Sequence, residues 1–146
     1  MATFSRNVTV NWEGSIMEGK GTAKAGSGAF ELPVSFPRRI GDAEAVTSPE
    51  ELMAAAHAAC FAMALNAFVG KKGGSIAKTD VTATVTADKG DAGITITTSK
   101  LTVVAHGLTG IPKEQFPEVA REAEGKCPVS NALRGSLTIE LDATAE

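Results

Sequence analysis

Two cysteines, Cys60 and Cys127, a histidine three residues before the first of them, and adjacent arginines at 38 and 39 are the side chains of this sequence best suited to redox chemistry. A thiolate attacks one oxygen of a peroxide, the other oxygen leaves as alkoxide, and the sulfur becomes a sulfenic acid. A second thiol then condenses with it to a disulfide and blocks overoxidation. Such a site needs a sulfur of low pKa, a cation beside it and a resolving thiol; Cys60, Cys127 and Arg38 or Arg39 supply those types. Cys127 precedes Pro128 at the start of an expected short helix, where the dipole favours a thiolate. Cys60 falls in mid-helix and must draw its cation from elsewhere. The plainer alternative is that both are small buried apolar side chains, since free cysteine is among the most buried residue types.

Other constellations are weaker. His57-x-x-Cys60 places two ligands on one helix face, and Cys127 with His106 would complete a tetrahedral set. The spacing is not that of a zinc finger, and a lone histidine on an apolar helix is more often a hydrogen-bonded core residue. No metal and no cofactor is therefore expected. Glu50 beside an arginine would form a forked pair, but Glu50 and Glu51 also suit the first turn of any helix. Gly19-Lys20-Gly21-Thr22 ends like a phosphate loop, yet lacks the leading glycine and the strand-to-helix context, and reads as a turn.

The element that must carry Cys60 is the stretch from Ser48 to Phe68. Thr47 or Ser48 caps it, Pro49 stands where a missing N–H costs nothing, and the alanines from 54 to 64 favour helix. Gly70 and Gly73-Gly74 end it. It is apolar on nearly all sides, which predicts cover by protein on every face. The apolar part, Leu52 to Leu65, is short for a membrane span. Around it, residues 4–12 read as a strand, with further short strands near 15–17, 22–25 and 29–34, and 36–42 as a loop. Residues 80–88 and 94–105 form a hairpin through Lys89-Gly90-Asp91-Ala92-Gly93. A change of parity on the return strand predicts a bulge near 98–100. Helices over 112–124 and 127–133 and a strand over 136–142 complete the chain. Without regular βαβ alternation this is α+β with antiparallel sheets, in a single domain spanning 1–146.

With 14 basic and 17 acidic residues among 146, the net charge of −3 carries no footprint of a nucleic-acid binder. The first dozen residues alternate in polarity and form no signal-peptide core, and no membrane span is expected; the reading is cytoplasmic.

Taken together, Asn11-Trp12-Glu13-Gly14, Gly19-Lys20-Gly21-Thr22, Ser48-Pro49-Glu50-Glu51-Leu52, Ala56-His57-Ala58-Ala59-Cys60-Phe61, Asp91-Ala92-Gly93 and Cys127-Pro128-Val129-Ser130 resemble, in order, the OsmC/Ohr family of osmotically inducible and organic hydroperoxide resistance proteins. The resemblance spans essentially the whole chain and lies toward the OsmC branch. It implies a thiol peroxidase preferring organic hydroperoxides, with Cys60 as peroxidatic and Cys127 as resolving sulfur. It further implies an intertwined homodimer with sheets wrapped around two central helices, and a dithiol reductant such as a lipoylated protein. Glu50 matches the family glutamate that pairs with an arginine. Arg39 matches the arginine of the OsmC branch, with Arg38 as fallback, whereas position 18, where the Ohr branch has it, is Glu18. A non-catalytic stress-induced dimer that binds an apolar ligand is the competing reading. Because Glu50 and Cys60 stand ten positions apart, about 15 Å on a straight helix, Glu50 and Arg39 are expected to reach the Cys60 of a partner chain. Phe36, Met53 and Ile111 are assigned to an acyl-chain pocket.

Overall fold

The computed structural model describes residues Met1–Glu146, which divide into two compact units, Met1–Pro49 and Glu50–Glu146. The first unit is an antiparallel meander of β1 (Val8–Glu13), β2 (Lys20–Ala25) and β3 (Glu31–Val34), with β2 central, followed by the short helix α1 (Phe36–Ile40). Residues 15–17, read as a short strand, lead instead into a turn over 16–18. The expected loop at 36–40 is α1: Pro37 occupies the first helical turn, where its missing N–H is no loss, after the extended Ser35. Alternation on β2 buries Ala23 and Ala25, while every residue of β1 is exposed, Trp12, Val8 and Val10 included.

The second unit is built on α2 (Pro49–Lys71). Acidic Glu50 and Glu51 lie in its first turn, where they complement the dipole. Its exit is a Schellman turn. Gly73 adopts φ +81°, its N–H bonds the Gly70 carbonyl at 3.0 Å, and the Gly74 N–H bonds the Val69 carbonyl at 2.9 Å. The helix is 23 residues long, with a mean hydropathy of 1.7 over its most apolar window; by length and composition it would suffice to cross a bilayer. It buries only His57, Phe61, Leu65 and Val69, a stripe repeating every four residues. The expected cover on every face is therefore not supplied within one chain: Ala55, Ala56, Ala59, Met63 and Ala67 are exposed.

Strands β4 (Lys78–Gly90) and β5 (Gly93–His106) form the hairpin, and β6 (Thr138–Ala145) closes the sheet on the other side of β5. The α+β class holds, but one pairing departs from the antiparallel expectation: β6 runs parallel to β5, from Thr98↔Thr138 to Ala105↔Ala145. Parallel neighbours need a long crossover. Here it comprises a single 3₁₀ turn at Lys113–Gln115, then α3 (Phe116–Glu124) and α4 (Pro128–Leu133). The β4–β5 register shifts between Thr86, opposite Thr98, and Ala87, opposite Ile96, so Thr97 is the extra residue of a bulge. That extra residue lets Ile94 and Ile96 lie on the same face of β5 as Ser99, Leu101, Val103 and Ala105 despite their opposite parity.

The core joins the α2 stripe and this face of β5 to Phe116, Val119, Ala120 and Ala123, one face of α3. Phe61 is fully buried at its centre. Phe61→Ala is expected to destabilise the protein by about 3–5 kcal/mol through lost burial and the cavity left behind. Urea unfolding followed by circular dichroism measures this; a loss within experimental scatter would show that the stripe does not hold α2 to the sheet.

Candidate functional site

Cys60 and Cys127, remote in sequence, meet within the second unit. Cys60 stands on α2 one helical step beyond His57, and is partly buried. Cys127 is the residue before α4, in extended conformation (φ −73°, ψ 116°) and fully buried. Its Sγ accepts the Ser130 N–H at 3.5 Å, capping the first turn of α4. The Cys60 thiol faces that turn, close enough to the Cys127 side chain and the backbone N–H of Val129 for both to act on it. Both sulfurs are free thiols.

Burial is the main reason the Cys60 thiol is pushed up from its ordinary pKa. The Val129 N–H offsets part of this, and the hydrogen bond and charge of Cys127 add to the rise. This environment favours the neutral thiol. A thiolate at this position needs a cation to reverse the effect.

His57 is also fully buried, and both ring nitrogens are engaged: Nδ1 with Ser99 Oγ at 2.6 Å and Nε2 with Ser130 Oγ at 2.7 Å. In the neutral ring one nitrogen donates and the other accepts, and the two serine hydroxyls complement either tautomer. Burial lowers the imidazole pKa; Glu124 opposes and Arg134 reinforces that shift, the two being paired with each other at 2.7 Å. One ring thus ties α2, β5 and the cysteine-bearing turn of α4 together. The expectation of a hydrogen-bonded core histidine is met. The Cys₂His₂ ligand set is not: His106 bonds Asp80 Oδ2 at 2.9 Å and Glu146 Oε2 at 3.3 Å instead, and no three His, Cys, Asp or Glu side chains are arranged to hold a metal ion.

Glu50 lies in the first turn of α2. Arg39 lies in the last turn of α1 beside Arg38, whose guanidinium holds the following loop through Glu44 Oε2 at 2.6 Å and the Asp42 carbonyl at 3.2 Å. Arg38 is thereby committed locally. Ile111, assigned to a ligand pocket, belongs to the core, packed so closely over Gly74 that a Cβ there would stand 2.8 Å from it. Ser99 and Ser130 were not foreseen. A sign existed for each: a serine one step from three buried apolar residues of β5, and a serine three places after Cys127.

A family model described as OsmC-like protein matches residues 41–142. The chain is 39% identical over 139 residues to peroxiredoxin OsmC of Escherichia coli K12, covering 94% of this chain and 96% of that protein. To the organic hydroperoxide resistance protein OhrA of Bacillus subtilis it is 32% identical over 117 residues, covering 77% and 79%. Among solved structures it resembles an organic hydroperoxide resistance protein of Elizabethkingia anophelis, with a TM-score of 0.76, 26% identity and all of both chains covered.

The lowered pKa of His57 gives a pH dependence of definite sign. The unfolded ring takes a proton near pH 6.5, whereas the folded ring resists it to lower pH. Its contribution is complete above that value and is lost as pH falls toward the depressed folded pKa, with a slope of at most about 1.4 kcal/mol per pH unit. Urea-unfolding free energies of the parent should fall more steeply between about pH 6.5 and 5 than those of His57→Gln. Parallel curves would contradict a neutral buried imidazole.

Proposed function

This chain belongs to the OsmC-like family, and from that premise we propose that it is a thiol-dependent peroxidase reducing organic hydroperoxides, and hydrogen peroxide less well, to alcohols. A peroxide-reducing activity is what the names of its relatives support in general terms. The observation that carries the finer reading is the approach of Cys60 to Cys127, two free thiols from distant parts of the sequence brought close enough to perturb one another.

The Cys60 thiolate attacks one peroxide oxygen, a sulfur–oxygen bond forms as the oxygen–oxygen bond breaks, and the alkoxide takes a proton to leave as alcohol. The sulfur is oxidised by two electrons to the sulfenic acid. The Cys127 sulfur then displaces hydroxide, which leaves as water, and the Cys60–Cys127 disulfide forms. A cytoplasmic dithiol, such as a lipoylated protein, returns both thiols. Cys60 is the partly accessible sulfur and Cys127 the buried one, an asymmetry that supports the assigned order. Because burial pushes the Cys60 thiol up, the first step demands a cation. Arg39 takes that role, polarising the peroxide and favouring the thiolate, with Glu50 orienting it through a forked pair.

The protein acts as a homodimer. The exposed alanines and Met63 of α2, and the exposed Val8, Val10 and Trp12 of β1, are apolar surface that a second copy would cover. Glu50 and Cys60 lie about 15 Å apart along α2, so Arg39 and Glu50 serve the Cys60 of the partner chain.

Thiol counting tests the chemistry. One equivalent of an alkyl hydroperoxide should remove both thiols of the parent, and Cys60→Ser should show no turnover. Cys127→Ser should consume about one equivalent per chain and stall as sulfenic acid; turnover equal to the parent's would contradict the resolving role. Mixed dimers test the shared site. Cys60→Ser and Arg39→Ala chains, each inactive alone, should regain activity when refolded together, because one site then holds both residues. Inactive mixtures whose dimers form normally would put Arg39 and Cys60 to work within one chain.

A further inference from the structure

The peroxidase reading gives His57 no part, yet it stands one helical step before Cys60 and its bonds reach the turn that carries Cys127. Ser130 is the link. Its backbone N–H donates to Cys127 Sγ at 3.5 Å, while its hydroxyl meets His57 Nε2 at 2.7 Å. The residue before it, Val129, offers its N–H to Cys60. Two α2 residues three apart, His57 and Cys60, are therefore matched by two α4-turn residues three apart, Ser130 and Cys127. The helix has only six residues and its cap residue is the cysteine itself; its other side-chain ties, Asn131 Nδ2 to the Gly125 carbonyl at 3.2 Å and Arg134 to Glu124 at 2.7 Å, run to the end of α3 and not to α2. Ser99, on the far side of the ring, fixes the imidazole from β5 at 2.6 Å.

We propose that His57 is a positioning residue for disulfide formation: through Ser130 it seats the first turn of α4 on α2, so that Cys127 Sγ lies against Cys60 once Cys60 is oxidised. The reaction is the one proposed above, on which this inference rests. The sulfur–sulfur bond forms as the sulfur–oxygen bond of the sulfenic acid breaks, hydroxide leaves with the Cys127 proton as water, and no further oxidant enters. A disulfide accepts Cα atoms only about 4.4–6.8 Å apart, so a small drift of α4 leaves the sulfenic acid waiting for its partner. The first step, at Cys60 alone, does not require α4 to hold its seat.

Ser130→Ala and Ser99→Ala form the test. Each removes one buried hydroxyl from the same ring, and both should unfold at lower urea than the parent by comparable amounts. Only Ser130→Ala should slow resolution. Trapping of sulfenic acid by a dimedone probe after a pulse of alkyl hydroperoxide should give it a lifetime at least about tenfold longer than the parent's, in line with the penalty for an ångström of misplacement. Sulfinic acid should accumulate in excess peroxide, while the bimolecular rate of the first step stays near that of the parent. Ser99→Ala should resolve nearly as fast as the parent. Equal slowing in both variants, or slowing in neither, overturns the proposal. Should Ser130→Ala not fold, His57→Asn, whose amide reaches toward Ser99 but not Ser130, takes its place against His57→Gln, whose amide reaches toward Ser130. If the parent forms no sulfenic acid, the peroxidase reading falls, and equilibration with glutathione disulfide still decides the positioning. The effective concentration of the Cys60–Cys127 pair should drop at least about tenfold in Ser130→Ala alone; an unchanged value refutes it.

Discussion

One imidazole, sealed from water and hydrogen-bonded on both sides, is the constraint on which the Glu50–Glu146 unit depends. His57 meets serines 42 and 73 positions away, so its two bonds join parts of the chain that share no local structure. Each such bond contributes about 0.5–1.5 kcal/mol net, but leaving one buried partner unsatisfied costs about 1–3 kcal/mol. The network is therefore held as a whole, and no buried side-chain polar atom is left without a partner. The bulge at Thr97 belongs to this arrangement. Without the extra residue, Ile94 and Ile96 would fall on the face of β5 opposite to Ser99 and Leu101.

Periodicity made much of this legible. The strict alternation of β4, the parity change on β5 and the alanine-rich helix with its glycine exit are local signals, and each predicted its element. The bulge lies at Thr97, one residue from its predicted place. What stayed hidden was set by tertiary contacts. Nothing in the alternation of β6 states which strand it joins or in which direction, because that follows from the length and docking of the α3–α4 crossover. At 36–40, prolines read as strand edges and loop where Pro37 instead opens a helix. Of the candidate site, the two thiols were visible as residue types and His57 as a core residue. At Ser99 and Ser130 the sign was one of position only, since a serine on a strand or short helix carries no mark of its partner.

The composition of α2 exceeds what its own chain buries. Its hydropathy would place it in a core or a bilayer, yet one stripe of four residues meets the sheet while small apolar side chains remain exposed. An amphipathic helix of a finished monomer puts charge on that outer face. Alanine there permits close backbone approach and adds no side-chain entropy to be lost on docking, while methionine adapts its shape to the partner surface. The face thus has the chemistry of an interface between chains, and the proposed homodimer answers a demand already written in the helix.

The two thiols lie close together but do not share an environment. Cys127 is sealed and its sulfur is occupied by the backbone of its own helix; Cys60 is partly open and carries a raised pKa in surroundings that favour the neutral form. A thiol so placed is protected from adventitious oxidation, since only the thiolate reacts. Under the proposed mechanism, reactivity is conferred by Arg39 of a second chain, so an unassembled chain would be inert. The nearness of the Cys127 sulfur, which adds to the rise that burial causes in the Cys60 pKa, is then the same nearness that shortens the path from sulfenic acid to disulfide. Burial and proximity act against the first step and for the second. Under the proposed mechanism, a cation brought by assembly meets both requirements on one pair of sulfurs.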